Sequence, residues 1–194
     1  MENFIQYRGA KIHFTDMPVR QEGSRKGRCI VLLHGFLESL KIWDEYAKSL
    51  SRRYRIVCID LPGHGKSGNI GYVHTTEMMA DCVKEVLHSL QITKCVMIGH
   101  SMGGYVTLAF AEKYEKNLRG FALFHSHAAL DPEDKKKDRE KAIQVVKRNP
   151  EVLINELVPN LFAPGNREKF ADEIEKIKKI AASMTRQGIV NCLE

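Results

Sequence analysis

The run Cys95-Val96-Met97-Ile98-Gly99-His100-Ser101-Met102-Gly103-Gly104 carries more information than any other stretch of this chain. Four apolar residues stop at a serine framed by glycines, the pattern of a strand that turns sharply into a helix on a nucleophile. Such a turn forces the serine into a strained φ/ψ region. Small residues are needed two before and two after it, because bulk at Gly99 or Gly103 would strike neighbouring backbone. The strain lifts Oγ off the sheet, and the new helix aims its N-terminal N–H groups at the same spot.

Two upstream segments fit the same frame. Cys29-Ile30-Val31-Leu32-Leu33 is a short continuous apolar run, as expected of a strand buried on both faces of a parallel sheet, and it stops at His34-Gly35-Phe36. The glycine lets the following backbone approach closely, so the Phe36 N–H is expected to face a developing oxyanion, with the Met102 N–H as second donor. Arg55 to Asp60 reads as another buried strand, followed by Leu61-Pro62-Gly63-His64-Gly65-Lys66-Ser67. The tail of that loop imitates a phosphate-binding P-loop, but the position five before Gly65 is Asp60 rather than glycine, so nucleotide binding is set aside.

His-Gly-Phe with Trp43 downstream, Asp60-x-x-Gly63-x-Gly65-x-Ser67 and Gly-His-Ser-Met-Gly-Gly, in that order, resemble the α/β-hydrolase superfamily from about Tyr7 to His127. Within it they are similar to the small, cap-bearing serine hydrolases that include esterases, thioesterases and carbon–carbon-bond hydrolases. The resemblance implies an α/β fold with a mainly parallel sheet flanked by helices and a helical cap inserted after the sixth strand. It implies Ser101 as nucleophile, Phe36 and Met102 as backbone oxyanion donors, and a small-molecule ester or thioester as substrate. A serine at 101 argues against haloalkane dehalogenases and epoxide hydrolases, which resemble this fold but place Asp there. His34, Gly35, His100 and His125 are expected on the substrate side, although His34 and His100 suit fixing the loop backbone equally well.

The charge pattern narrows the partners. The net charge is +6, yet residues 131–180 hold 12 Lys/Arg against 11 Asp/Glu, the look of solvated helix faces. The excess positive charge sits at positions such as Arg20, Arg25, Lys26, Arg52 and Arg53, without interleaved aromatics, so nucleic acid is not expected. No apolar stretch approaches the roughly 20 residues that span a bilayer, and the first residues lack a signal-peptide pattern. Five cysteines without a C-x-x-C pair suit a reducing compartment, and the cytoplasm is the expected location. No histidine has metal-ligand spacing, and neither metal nor cofactor is expected.

Along the chain, Phe4–Tyr7 and Ala10–Phe14 read as a hairpin, and a charged connection, Val19–Arg28, leads to the His34 strand. Trp43–Leu50, Thr76–Leu90 and Met102–Tyr114 read as helices, and Leu118–Phe124 as a strand. A core over residues 1–128 is followed by a helical segment, 129–194. There Asp131 reads as an N-cap with Pro132 at the first helical position, and Asn149-Pro150 repeats the device. Phe170, Ile174, Ile177, Ala181 and Met184 share one helical face.

In the resembled family the triad acid follows the seventh strand and the histidine the eighth. No apolar strand follows Met184, so the last two strands and both usual partners of Ser101 are expected to be absent from these 194 residues. His127, with Asp131 behind it, offers a substitute base and acid, though capping is explanation enough for Asp131. Strand Leu118–Phe124 would then lack its usual neighbour, leaving Phe121–Phe124 as a flat apolar edge open to self-association. A piece of a longer hydrolase, a piece completed by a partner chain, and a shortened protein with a non-catalytic binding role all fit this reading.

Overall fold

A computed structural model describes residues 2–19, 28–129 and 132–194. Most of the Val19–Arg28 connection, and Asp131 with its capping and acid roles, fall outside the described residues.

Alternating apolar runs and amphipathic stretches build a six-stranded sheet flanked by helices. The strands are β1 Glu2–Tyr7, β2 Ala10–Met17, β3 Cys29–Leu33, β4 Arg55–Ile59, β5 Cys95–His100 and β6 Leu118–Phe124, in the order β1-β2-β4-β3-β5-β6. The β1–β2 and β2–β4 pairs are antiparallel, and β3, β4, β5 and β6 run parallel. All five residues of β3 are buried, which explains why its sequence is apolar without alternation. Each such aliphatic side chain contributes about 1.5–3 kcal/mol of burial free energy. Leu33 pairs with both Ile59 and Gly99, so the strand ends that carry Asp60, His34 and Ser101 finish at one edge.

Helices cover both faces. The helices α2 Thr76–Ser89 and α3 Met102–Tyr114 pack Met79, Val83, Val86 and Phe110 against Val31 and Leu33. On the opposite face a 3-10 turn, Leu40–Trp43, runs into α1 Asp44–Leu50, so the helix expected from Trp43 begins one residue later. That face buries Trp43 and Ala47 with Ile30, Leu32 and Ile56.

Beyond β6 come α4 Glu133–Arg148, α5 Pro150–Asn160, α6 Ala171–Ala182 and α7 Arg186–Leu193. They share a separate apolar cluster that includes Val146, Ile154, Val158, Ile174 and Ile189. Asn149 caps α5 as expected, its side chain accepting the Glu151 N–H at 2.9 Å with Pro150 at the first helical position. For α4 the reading shifts by one. Pro132 is itself the residue before the helix, with ψ 158°, and Glu133 is the first helical residue.

Strand β6 lies at the margin of the sheet with Phe121 47% and Phe124 40% exposed, and its register with β5 is unbroken from Gly120 to Phe124. Cys95 pairs with Leu118 and Val96 with Gly120, so Arg119 is an extra residue in a bulge. Among the described residues no helix is long and apolar enough to cross a membrane.

Candidate active site

Ser101 sits between β5 and α3 with φ 49° and ψ −116°. A non-glycine residue rarely holds such a conformation, and the strain of about 1–3 kcal/mol has to be fixed by its surroundings. Three contacts fix it. The Ser101 N–H donates to Phe124 O at 3.1 Å, Ser101 O accepts from the Ser126 hydroxyl at 2.9 Å, and it also accepts the Gly104 N–H at 2.9 Å. The glycines follow from close approach: a β-carbon on Gly99 would overlap Gly103 O, and one on Gly103 would lie 2.7 Å from His34 O. Met102 opens α3, which leaves its N–H among the unsatisfied donors of the first turn beside the serine.

The loop after β3 closes over this elbow. A β-carbon placed on Gly35 would stand 2.8 Å from Glu38 Oε2, 3.0 Å from His100 Nδ1 and 3.1 Å from Ser101 Cβ. Gly35 therefore lies against the serine side chain, with Phe36 next in the chain. Glu38 holds the loop there. Its buried carboxylate accepts the Gly35 N–H at 2.6 Å and pairs with His100 Nδ1 at 2.9 Å. Leu37, next to Phe36, has φ 60° and is 3% exposed.

Behind the loop, His34 has no exposed surface. Its Nε2 accepts the Leu61 N–H at 3.0 Å, and its Nδ1–H donates to Gly35 O at 2.8 Å. Both nitrogens are committed, so His34 fixes backbone and presents nothing to a substrate. The His64 ring lies 5.0 Å from it, also fully buried. Burial pushes both imidazoles below their ordinary range, His64 well below, with the neighbouring His34 adding to the effect. Both are neutral at pH 7. Asp60 ties the surrounding segments, accepting the Leu40 N–H at 2.7 Å and the Lys66 N–H at 2.9 Å while pairing with His13 Nδ1 at 2.7 Å.

The remaining expected residues divide. His100 borders the elbow, and His125, exposed with φ 47°, places its ring 6.1 Å from that of His100. His127 turns aside, its Nε2 3.3 Å from the Tyr105 hydroxyl. No hydrogen bond to Ser101 Oγ is made by His127 or by any other described residue. Glu38, Leu37 and the His13–Asp60 pair escaped the sequence reading. Glu38 lay in plain view three residues after Gly35, where a carboxylate can reach back to a loop amide.

The profile of the alpha/beta hydrolase fold matches residues 28–160. The chain is 37% identical over 102 residues to an sn-1-specific diacylglycerol lipase of Xenopus tropicalis, a match covering 52% of this chain and 32% of that protein. It is 32% identical over 118 residues to Epoxide hydrolase 4 of Mus musculus, covering 59% and 31%. Among solved structures, a thermophilic esterase from Thermogutta terrifontis superposes with a TM-score of 0.88 at 28% identity, covering 100% of this chain and 71% of that one. An enol-lactonase from Burkholderia xenovorans LB400 gives 0.86 at 20% identity, covering 97% and 71%, a likeness of fold alone. The chain spans about a third of the length of the curated relatives it matches.

Proposed function

The chain belongs to the alpha/beta hydrolase fold family, and from that premise we propose that it is a serine hydrolase of carboxylic ester or thioester bonds in small molecules. The observation that carries the reading is the backbone of Ser101, a non-glycine residue held at φ 49° where β5 meets α3. Nothing in packing alone calls for a serine in that strained position. A nucleophile that must stand clear of the sheet does.

In the proposed reaction Ser101 Oγ adds to the substrate carbonyl, and its proton passes to a base. The carbonyl oxygen takes up the electron pair facing the Phe36 and Met102 N–H groups. Collapse expels the alcohol or thiol, which takes the proton back from the base; water, giving its proton to the same base, then adds to the acyl-serine and releases the acid, and the proton returns to Ser101 Oγ. Losing one such donor typically costs about 10²–10³-fold in rate. Helices α4–α7, within residues 129–194, serve as the cap that excludes water and shapes the acyl pocket. The esterase of Thermogutta terrifontis, similar along the whole of this chain, supports the ester class. The five free cysteines suit a reducing compartment, and we assign the cytoplasm.

A second reading rests on one observation. Ser101 Oγ has no imidazole partner among the described residues, as in a binding protein that keeps the pocket without turnover. A fluorophosphonate probe separates the two. Slow labelling that peptide mass mapping places on Ser101, and that Ser101→Ala abolishes, supports the hydrolase. No labelling, with an ester ligand still bound, supports the binding protein.

A further inference from the structure

The turn Gly35–Glu38 is closed by a Glu38 N–H to Gly35 O hydrogen bond of 3.4 Å, with a positive φ of 60° at its third residue, Leu37. That is the pattern of a type II turn, whose third position ordinarily takes glycine because a β-carbon there is crowded. A leucine keeps this conformation only where its surroundings over-determine it.

The surroundings come from two sides. On the sheet side, Glu38 binds the Gly35 N–H at 2.6 Å and His100 Nδ1 at 2.9 Å. On the other side, the Leu37 side chain belongs to the apolar cluster of α4–α7, among Val146, Ile154, Val158 and Ile189, and Phe36 packs partly against it. The sheet core contributes none of that cluster. The backbone of this turn is therefore fastened to the sheet, while its strained residue is fastened to the helices.

We propose that Leu37 is a positioning residue that couples the packing of α4–α7 to the Phe36 amide. With the helices packed, burial of Leu37 holds the turn in its strained form and keeps the Phe36 N–H beside Ser101. With the helices loosened, the turn relaxes and the donor is withdrawn. The catalytic consequence rests on the serine-hydrolase reading; the coupling itself does not.

Hydrogen–deuterium exchange on the full chain, read beside fluorophosphonate labelling of Ser101, tests this with a double-mutant cycle. Val158 is 1% exposed and lies on α5, outside the turn. Val158→Ala should raise exchange in α5 and in residues 34–40 together, by about tenfold or more, while β3 stays protected. Labelling of Ser101 should slow by a similar factor. Leu37→Gly removes both the strain and the anchor. In that background Val158→Ala should still loosen α5 but change exchange of the turn by less than about twofold. If Val158→Ala unfolds β3 as well, the milder Ile154→Val takes its place. The proposal is overturned if α5 loosens and the turn does not respond, or if the response persists unchanged in Leu37→Gly. Coupled exchange with no labelling of Ser101 under any condition would sustain the coupling and remove the hydrolase reading.

Discussion

Glu38 brings a carboxylate to within hydrogen-bond reach of two donors beneath the Ser101 elbow, and with 5% of its surface exposed it has little water to replace them. Removing it strands the buried Gly35 N–H, a loss of about 1–3 kcal/mol, and the half-buried His100 Nδ1–H, which adds less. In a chain of this size 1 kcal/mol shifts the thermal midpoint by roughly 2–4 °C. Glu38→Ala should therefore lower the midpoint by about 5 °C or more in a calorimetric scan. Glu38→Gln, which keeps an acceptor for Gly35, should recover more than half of the loss. Residue-level legibility was uneven for a physical reason. Gly99 and Gly103 announce themselves because a steric prohibition leaves glycine or little else, and the structure meets both prohibitions with backbone oxygens. The bond from Glu38 to the Gly35 N–H has a local signal, a carboxylate three residues on, but the partner 62 residues away, His100, leaves none.

At the scale of elements, the sequence was readable wherever burial imposes a period. The bounds of β3, α3 and β6 coincide with the expected ones, because an apolar run or one apolar face defines each. Helix α7 escaped. It is eight residues long, contains Gly188, and buries Asn191, which reads as surface until its bonds to Gly71 O at 3.0 Å and from the His74 N–H at 2.7 Å are seen. The bulge at Arg119 escaped too, since it exists only in the register between β5 and β6. That bulge blunts part of the edge and leaves Gly120–Phe124 able to pair. Two copies meeting antiparallel about Ala122 would set Gly120 across from Phe124 and Phe121 across from Leu123, with no like charges opposed. We expect concentration-dependent mass for the isolated chain in sedimentation, and a shift toward monomer in Phe121→Lys, which puts a charge within the strip.

At the scale of the molecule, His34, His64 and His74 are buried in neutral form, and this bears on how stability responds to acid. His34 and His74 each accept a backbone N–H on Nε2, from Leu61 at 3.0 Å and from Ile70 at 3.1 Å, so a second proton would oppose donor to donor. His64 offers Nδ1 to Pro62 O at 3.1 Å and leaves Nε2 buried without a partner. Burial depresses all three, His74 to about 4. In the unfolded chain each titrates at about 6.5. Between those limits the unfolded state binds more protons, so stability rises with pH. The contribution is complete above about 6.5 and is lost as pH falls toward the folded values. Each histidine adds a slope of up to about 1.4 kcal/mol per pH unit. Urea midpoints should therefore drop steadily from pH 7 to pH 5, a window in which carboxylates of ordinary pKa remain largely ionised. His74→Gln, whose side-chain oxygen can still accept the Ile70 N–H, should remove about one proton's worth of that slope while leaving the midpoint at pH 7 changed far less than the midpoint at pH 5. A profile flat to pH 5 would mean that these imidazoles find water when charged, and that the buried loop around His34 opens more easily than its hydrogen bonds imply.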